Sequence, residues 1–313
     1  MKSDTLNWKR LAATVAILLV AVAAIWTYMV KTYESELGTS NVILVEESGT
    51  ILDGNSNNEL LRLSFDEDAD DLLWSSLEIT IVIDGESNSC SFGSQSNSDQ
   101  ITGKVSPILG ADGLTFTTII DSTGDEEYTY FDLSQQEEVD EENHWMRFSS
   151  TDIYLNEGIT WAFIEGEDFG DIFEVPDIEM DEETDERLEW YTYDMSVHRV
   201  NPNDGVYIIE ENDSWYKVKF LTYYNEDDES RYPTMQIAAL NGTDFPALSN
   251  PEIVVPSPCK IITEDQDMKY WDADESIMLI ENGIDLCDKS CAIEIEVKFE
   301  TISVEIEPSE IKI

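Results

Sequence analysis

The sequence predicts an all-β ectodomain behind a single N-terminal transmembrane helix. Three observations carry that expectation. Apolar residues alternate with polar ones in short runs such as Leu77, Ile79, Ile81 and Ile83, and again in Ile293, Ile295, Val297 and Phe299. That period of two belongs to half-buried antiparallel strands. The densest aromatic and β-branched stretch, residues 188–238, reads as a long hairpin. Residues 11–30 form an uncharged run of 20, which as a helix is ~30 Å long and crosses a bilayer.

At ~150 residues per domain, the 313-residue chain has room for about two domains and an anchor. Asp and Glu number 68 against 17 Lys and Arg, for a net charge of -51. No basic stripe remains to neutralise phosphates, so nucleic acid is excluded as a partner. Such charge alone would suggest disorder, but 42% hydrophobic content with 8 Trp, 13 Tyr and 11 Phe supplies a packed core. The four cysteines, Cys90, Cys259, Cys287 and Cys291, all follow the first hydrophobic segment. An even count in an oxidising compartment reads as two disulfides, and the paired spacing of a zinc site is absent.

In chain order, residues 1–10 carry Lys2, Lys9 and Arg10 and form a cytoplasmic tail. Trp26 and Tyr28 fall at the interfacial belt of the 11–30 anchor, which places the rest of the chain outside the cell as a single-pass ectodomain. The alternative is a cleaved signal peptide with residues 11–20 as its core and Ala21-Val22-Ala23 as its cleavage site. Apolar character continuing past that site favours the anchor. Residues 31–40 are a stalk. Leu61, Leu63 and Phe65 then alternate with polar residues, as do Leu77 to Ile83, and at the far end Ile302, Val304 and Ile306 extend the period. Residues 91–104 are a Ser, Gly and Asn-rich exposed linker, and residues 177–186 an acidic solvated loop.

Within 188–238 the expected strands are 206–209 and 215–224, joined by a loop over 210–214. Tyr216, Val218, Phe220 and Thr222 share one face, and Trp215, Lys217, Lys219, Leu221 and Tyr223 the other. The run WYKVKFLTYYN, followed after an acidic loop by YPT, resembles the HmuY-like family, whose founding member is a secreted haem-binding protein. The stretch YFDLSQQEEVDEENHWMRFSSTDIYLNEG, ending at Gly158, is similar to the same family in its order of strand, acidic connection, Trp-centred strand and Asn-x-Gly turn. The likeness covers about residues 112–240, inside a β domain of 105–250. LLRLSFDEDADDLLW with LEITIVIDG, and the distant DADESIMLIENGIDLCDKSCAIEIEVKF, resemble archaeal pilin-like and flagellin-like extracellular domains. That resemblance implies an immunoglobulin-like sandwich of residues 41–92 plus 256–313, interrupted by the HmuY-like domain. Cys90 and Cys259 would then flank the interruption and clamp its root, and Cys287 with Cys291 would close a hairpin tip.

No HExxH, GxSxG, P-loop or Rossmann glycine pattern occurs, and His144 and His198 are the only histidines. Catalysis is not expected. The HmuY-like resemblance implies haem held axially by His or Met from β-structure. His198 and Met195, three apart in YDMSVHRV, are the candidate ligands, followed by Met180, Met235, His144 and Met146. The plainer reading of His198 is an exposed strand residue beside a carboxylate, and of the methionines core filling. Lys217 and Lys219 would meet haem propionates, or, as is commoner, face outward and offset negative charge. Asp66, Asp68 and Asp70 have the first ligand positions of a calcium loop, but Asp71 replaces the turn glycine and Leu77 the bidentate glutamate, so no EF-hand forms. A weak calcium site there or at Glu226, Asp227, Asp228 and Glu229 competes with a solvated loop. Asn212 and Asn241 fit glycosylation acceptors. These features together predict a membrane-anchored extracellular binding protein, with haem the most concrete small-molecule ligand. The alternative is a non-catalytic adhesion or surface-layer module with a cell-surface partner.

Overall fold

The structure is a computed structural model. It describes residues 73–83, 86–97, 103–124, 127–225, 227–240, 242–263 and 269, the strand backbones at 59–64, 274–279, 291–297 and 300–306, and residues 19, 21, 22, 24 and 25. The chain divides into two compact units, Met1–Val42 and Ile43–Ile313. In the first, the five described residues are helical and exposed. The rest of the predicted 11–30 anchor lies outside the described residues, among which no helix is long and apolar enough to cross a membrane. Among the described residues the second unit is built of antiparallel sheets, with one parallel pairing and three short 3-10 turns.

Both ends of this unit contribute to one seven-stranded sheet. Its strands are β1 (Glu59–Ser64), β2 (Leu77–Ile83), β3 (Glu86–Ser91), β18 (Cys259–Ile262), β19 (Asp274–Leu279), β20 (Cys291–Val297) and β21 (Glu300–Ile306), in the order β1-β19-β18-β3-β2-β20-β21. Leu77 and Ile79, two members of the predicted alternation, are buried. The parallel contact is between β3 and β18, and it sets Cys90 opposite Cys259, which are joined in a disulfide with a Cα–Cα distance of 4.4 Å. Cys287 lies outside the described residues, and Cys291 is described only as backbone.

The residues expected to form an exposed linker do more than connect. β4 (Ser94–Ser96) pairs with β17 (Val254–Pro256), so the outgoing and returning chains run side by side just beyond the disulfide. Short polar side chains leave the backbone of 94–96 free to pair, and Ser257 Oγ adds a hydrogen bond to the Ser89 carbonyl at 2.8 Å.

Between these crossings two sheets face one core. One is four-stranded, in the order β10-β9-β7-β8, from β7 (Thr129–Asp132), β8 (Glu137–Glu138), β9 (Met146–Ser149) and β10 (Asp152–Leu155). The other is six-stranded, in the order β11-β14-β15-β16-β6-β5. It comprises β5 (Val105–Leu109), β6 (Phe116–Ile120), β11 (Thr160–Glu165), β14 (Gly205–Glu211), β15 (Ser214–Tyr224) and β16 (Ser230–Ala239). Phe131 and Phe148 from the first sheet, with Trp145 just before β9, meet Phe116, Tyr216, Val218 and Phe220 from the second in a continuous hydrophobic cluster. A separate hairpin, β12 (Tyr191–Asp194) with β13 (Arg199–Pro202), adds Trp190 and Val200 to the same cluster.

The predicted hairpin is β14 and β15, closed more tightly than expected. Glu211 pairs with Ser214, leaving only Asn212 and Asp213 in the turn, at φ of 53° and 65°. Two positive φ values match the twist of a two-residue hairpin turn, and Asn and Asp tolerate them better than most residues. Tyr216, Val218 and Phe220 face the core as the alternation requires. A register shift between Phe220 and Thr222, and a second before Tyr224, then turn Tyr223 into that core in place of Thr222. The acidic loop around Asp181 is exposed, as expected, and also covers a sheet edge. Trp161 and Asp181 exchange backbone hydrogen bonds at 2.9 and 2.6 Å, so β11 does not present a bare edge there.

Candidate functional site

The middle strands of the six-stranded sheet, β14, β15 and β16, are buried on both faces, and the second face carries the site. Register aligns Ala162, Ile208, Lys217 and Ala238 across β11, β14, β15 and β16. Val206, Ile208, Ala238 and Leu240 pack there under Phe169 and Ile172, which come from the 3-10 turn Phe169–Asp171 and the residue after it. Lys217 therefore rises from the middle of an apolar row beneath a cover, and only 7% of it is exposed. The outward-facing lysine expected from sequence is corrected at this position. Lys219, two residues on, keeps an ion pair with Asp168 at 3.3 Å.

The Lys217 ammonium is held by backbone and rings. Nζ donates to the carbonyls of Phe169 at 2.7 Å and Ile172 at 2.8 Å, and stands 4.2 Å from the centroid of the Phe169 ring and 5.4 Å from that of Phe173. No carboxylate forms a salt bridge with it among the described residues. Burial, which penalises the charged form, lowers its pKa from 10.5 to about 8, and Lys269 adds a smaller push in the same direction. Asp112 and Asp171 oppose the shift.

Lys217 lines a cavity of about 530 Å³ between this face, the β5–β6 turn and the 3-10 turn Trp74–Ser76. The volume is within the range of about 300–1,000 Å³ common for small-molecule sites. Leu73, Leu114, Phe173, Phe245 and Leu248 give it apolar walls. In the β5–β6 turn, Asp112 accepts the N–H groups of Leu114 and Thr115 at 3.0 Å each and the Thr115 hydroxyl at 2.7 Å. Burial raises its pKa, against the lowering effect of those hydrogen bonds and of Lys217. Ala111 N–H, donating to the Leu77 carbonyl at 2.8 Å, ties the turn to β2. Lys269 pairs with Asp171 at the cavity wall. Sequence reasoning missed Asp112, Phe169, Phe173 and Lys269. The only signal was a lysine in the middle of a strongly apolar strand.

The predicted haem ligands lie elsewhere. His198 and Met195 occupy the tip of the β12–β13 hairpin, both exposed, Met195 at 73%. His198 has φ of 56°, and its Nδ1 lies 3.1 Å from the Tyr193 hydroxyl. The tip thus offers ligand atoms without the walls that exclude water from a haem. The other candidates are structural. His144 is buried, its Nδ1 is 2.7 Å from the Glu141 carbonyl and its ring stands edge-on to Tyr130, and burial lowers its pKa. Met146 and Met235 are fully buried in the core, and Met180 packs beside Phe169 and Ile172.

Among the described residues no group of three or more His, Cys, Asp or Glu is arranged to hold a metal. Asp66, Asp68, Asp70 and Glu226 lie outside them, as does Asn241. Asp228 is engaged by Arg199 through two hydrogen bonds of 3.0 and 2.7 Å. Asn212 is exposed in its turn.

No family model matches the chain, and neither does any curated protein. Three solved structures are similar in part. A Bacteroides fragilis chain described as a lipoprotein shares 13% identity, with a TM-score of 0.34, over 42% of this chain and 93% of its own. A Bacteroides vulgatus chain described as HmuY-like and haem-binding shares 14%, with a TM-score of 0.33, over 40% and 92%. The apo HmuY analogue of Tannerella forsythia shares 11%, with a TM-score of 0.27, over 62% and 98%. With TM-scores this low, none of the three bears on what this chain binds.

Proposed function

We propose that this chain is a non-catalytic binding protein of the cell surface, and that its ligand is a small molecule seated in the Lys217 cavity. The observation that carries the reading is the cavity itself: about 530 Å³ with apolar walls, the buried Lys217, and Lys269, Asp112 and Asp244 also in its lining. Sites of this size with few convergent polar groups are the usual form of ligand pockets. The Cys90–Cys259 disulfide supports an oxidising, extracellular location, and the apolar run at 11–30 supports anchorage. Calorimetric melting of the full chain against a small-molecule panel tests the reading. A ligand at about 100 times its Kd adds about 2.7 kcal/mol of stability. Ser249, exposed at the cavity, gives the control Ser249→Trp, in which the stabilisation should be lost. A panel that never shifts the melting temperature, or shifts the variant equally, refutes the site.

A second reading, haem capture, draws on a separate observation. The β12–β13 tip exposes Tyr193, Met195 and Val197 beside the His198 imidazole, an apolar surface with two ligand atoms. Absorbance titration with haemin would give a Soret shift abolished by His198→Ala. No shift, or one the variant retains, removes that residue from consideration.

A further inference from the structure

Lys217 differs from the other described lysines and arginines that hold ion pairs. Arg187, Arg199, Lys219 and Lys269 each meet a carboxylate, in a chain that has 68 of them. Lys217 meets none. Two of its three N–H groups are used by the Phe169 and Ile172 carbonyls. Among the described residues Nζ makes no third hydrogen bond; it lies beside the Phe169 and Phe173 rings, and Lys217 lines the cavity. An ammonium in a side chain only 7% exposed, with no carboxylate in salt-bridge contact among the described residues, is expensive to bury unless something completes its coordination.

We propose that the cavity takes an organic anion with an apolar body, of the monocarboxylate class. Its charged end accepts the remaining Lys217 N–H, and its body lies on Phe173, Leu114 and Leu248. This rests on reading the cavity as the ligand site. The position of the cation supports it: Lys217 sits at the floor, under Phe169 and Ile172, whereas Leu114 is 54% exposed. A ligand entering past Leu114 would meet apolar surface before charge. Asp112, in the same lining, favours the Lys217 charge without a direct hydrogen bond to it, its oxygens accepting three hydrogen bonds within its own turn, so the Lys217 ammonium keeps a donor for a ligand.

Isothermal titration calorimetry of the full chain with 1-naphthoate and its neutral isostere 1-naphthamide separates the two levels of the reading. A charge-assisted hydrogen bond in a dry site corresponds to about tenfold in affinity, so naphthoate should bind about tenfold more tightly than naphthamide. Lys217→Met should remove that difference and leave naphthamide binding in place. Because Lys217→Met also releases two carbonyls, Leu114→Glu provides a variant at an exposed position. It should weaken naphthoate several-fold more than naphthamide, because both probes lose the Leu114 contact and only the charged one meets the added carboxylate. Equal affinity for the two probes, or naphthoate binding indifferent to both substitutions, overturns the anion and leaves the cavity standing as a site. Failure of both probes to bind a folded chain overturns both.

Discussion

Lys217→Met should change how stability depends on pH more than it changes stability at pH 7. In the folded chain burial holds the Lys217 pKa at about 8, against 10.5 for the ordinary side chain. Between those values the unfolded chain binds a proton that the folded chain has released, so raising the pH favours folding. The gap at about 1.36 kcal/mol per unit amounts to roughly 3 kcal/mol gained between pH 8 and 10.5. Below pH 8 both states carry the proton and the folded state bears the full cost of burying it. Methionine removes that cost, but strands the Phe169 and Ile172 carbonyls, at about 1–3 kcal/mol for each group left unsatisfied. The opposing effects bring the variant near wild type at pH 7. By pH 10 the wild type should lead by an additional ~2 kcal/mol or more. Burial raises the pKa values of Tyr207, Tyr216 and Tyr223, which lowers stability above pH 10 in both proteins and cancels in the difference. Urea unfolding at half-unit steps from pH 7 to 10.5 measures it. Parallel curves for the two proteins would show that Lys217 titrates as an exposed lysine and would refute the argument from burial.

Three further outcomes are expected. Cys90 and Cys259 are 169 residues apart, and removing their bridge by the double Cys90→Ala, Cys259→Ala substitution should cost about 5 kcal/mol in the chain-entropy account; non-reducing peptide mapping of the wild type should recover the Cys90–Cys259 link, and a Cys90 link to Cys287 would contradict it. Gly205 has φ of +150° with the Ile164 carbonyl and Phe163 ring against its α-carbon, so Gly205→Ala should destabilise by at least about 1–3 kcal/mol in urea, and a neutral result would count against the β11–β14 register. Asp213→Gly should stabilise by about 0.5–1 kcal/mol in a thermal melt, because glycine accepts the positive φ of the second turn residue at no steric cost.

Strand positions were legible because burial of one face writes a period of two into the sequence. Leu77 and Ile79 in β2, and Tyr216, Val218 and Phe220 in β15, follow that period into the core. Tyr223 does not, because the register shift near Thr222 depends on how β15 meets β16, a partner relation that alternation in one strand does not encode. The linker at 94–96 read as exposed because it lacks apolar side chains, yet its backbone pairs with 254–256 more than 150 residues later. Backbone pairing between polar segments leaves no trace in hydropathy.

Lys217 shows where sequence legibility ends for the site. Alternation correctly sets it on the face opposite Tyr216 and Val218, but says nothing about whether a second layer covers that face. The cover comes from Phe169 and Ile172, flanked by Glu165, Glu167, Asp168, Asp171 and Glu174, so the segment reads as solvated. In a chain of net charge -51 almost any polar segment reads that way, and the informative residues are the apolar ones placed within the acid. The same excess of carboxylates sharpens the chemical argument. A cation in this protein has abundant counter-ions within reach, and Lys217 is positioned where the chain supplies two carbonyls and two rings instead. An apolar substitution would satisfy simple packing at that row of Ala162, Ile208 and Ala238. Burying the charged lysine there has a desolvation cost at neutral pH that its two carbonyl hydrogen bonds only balance, and an anion entering the cavity completes its coordination and adds stability.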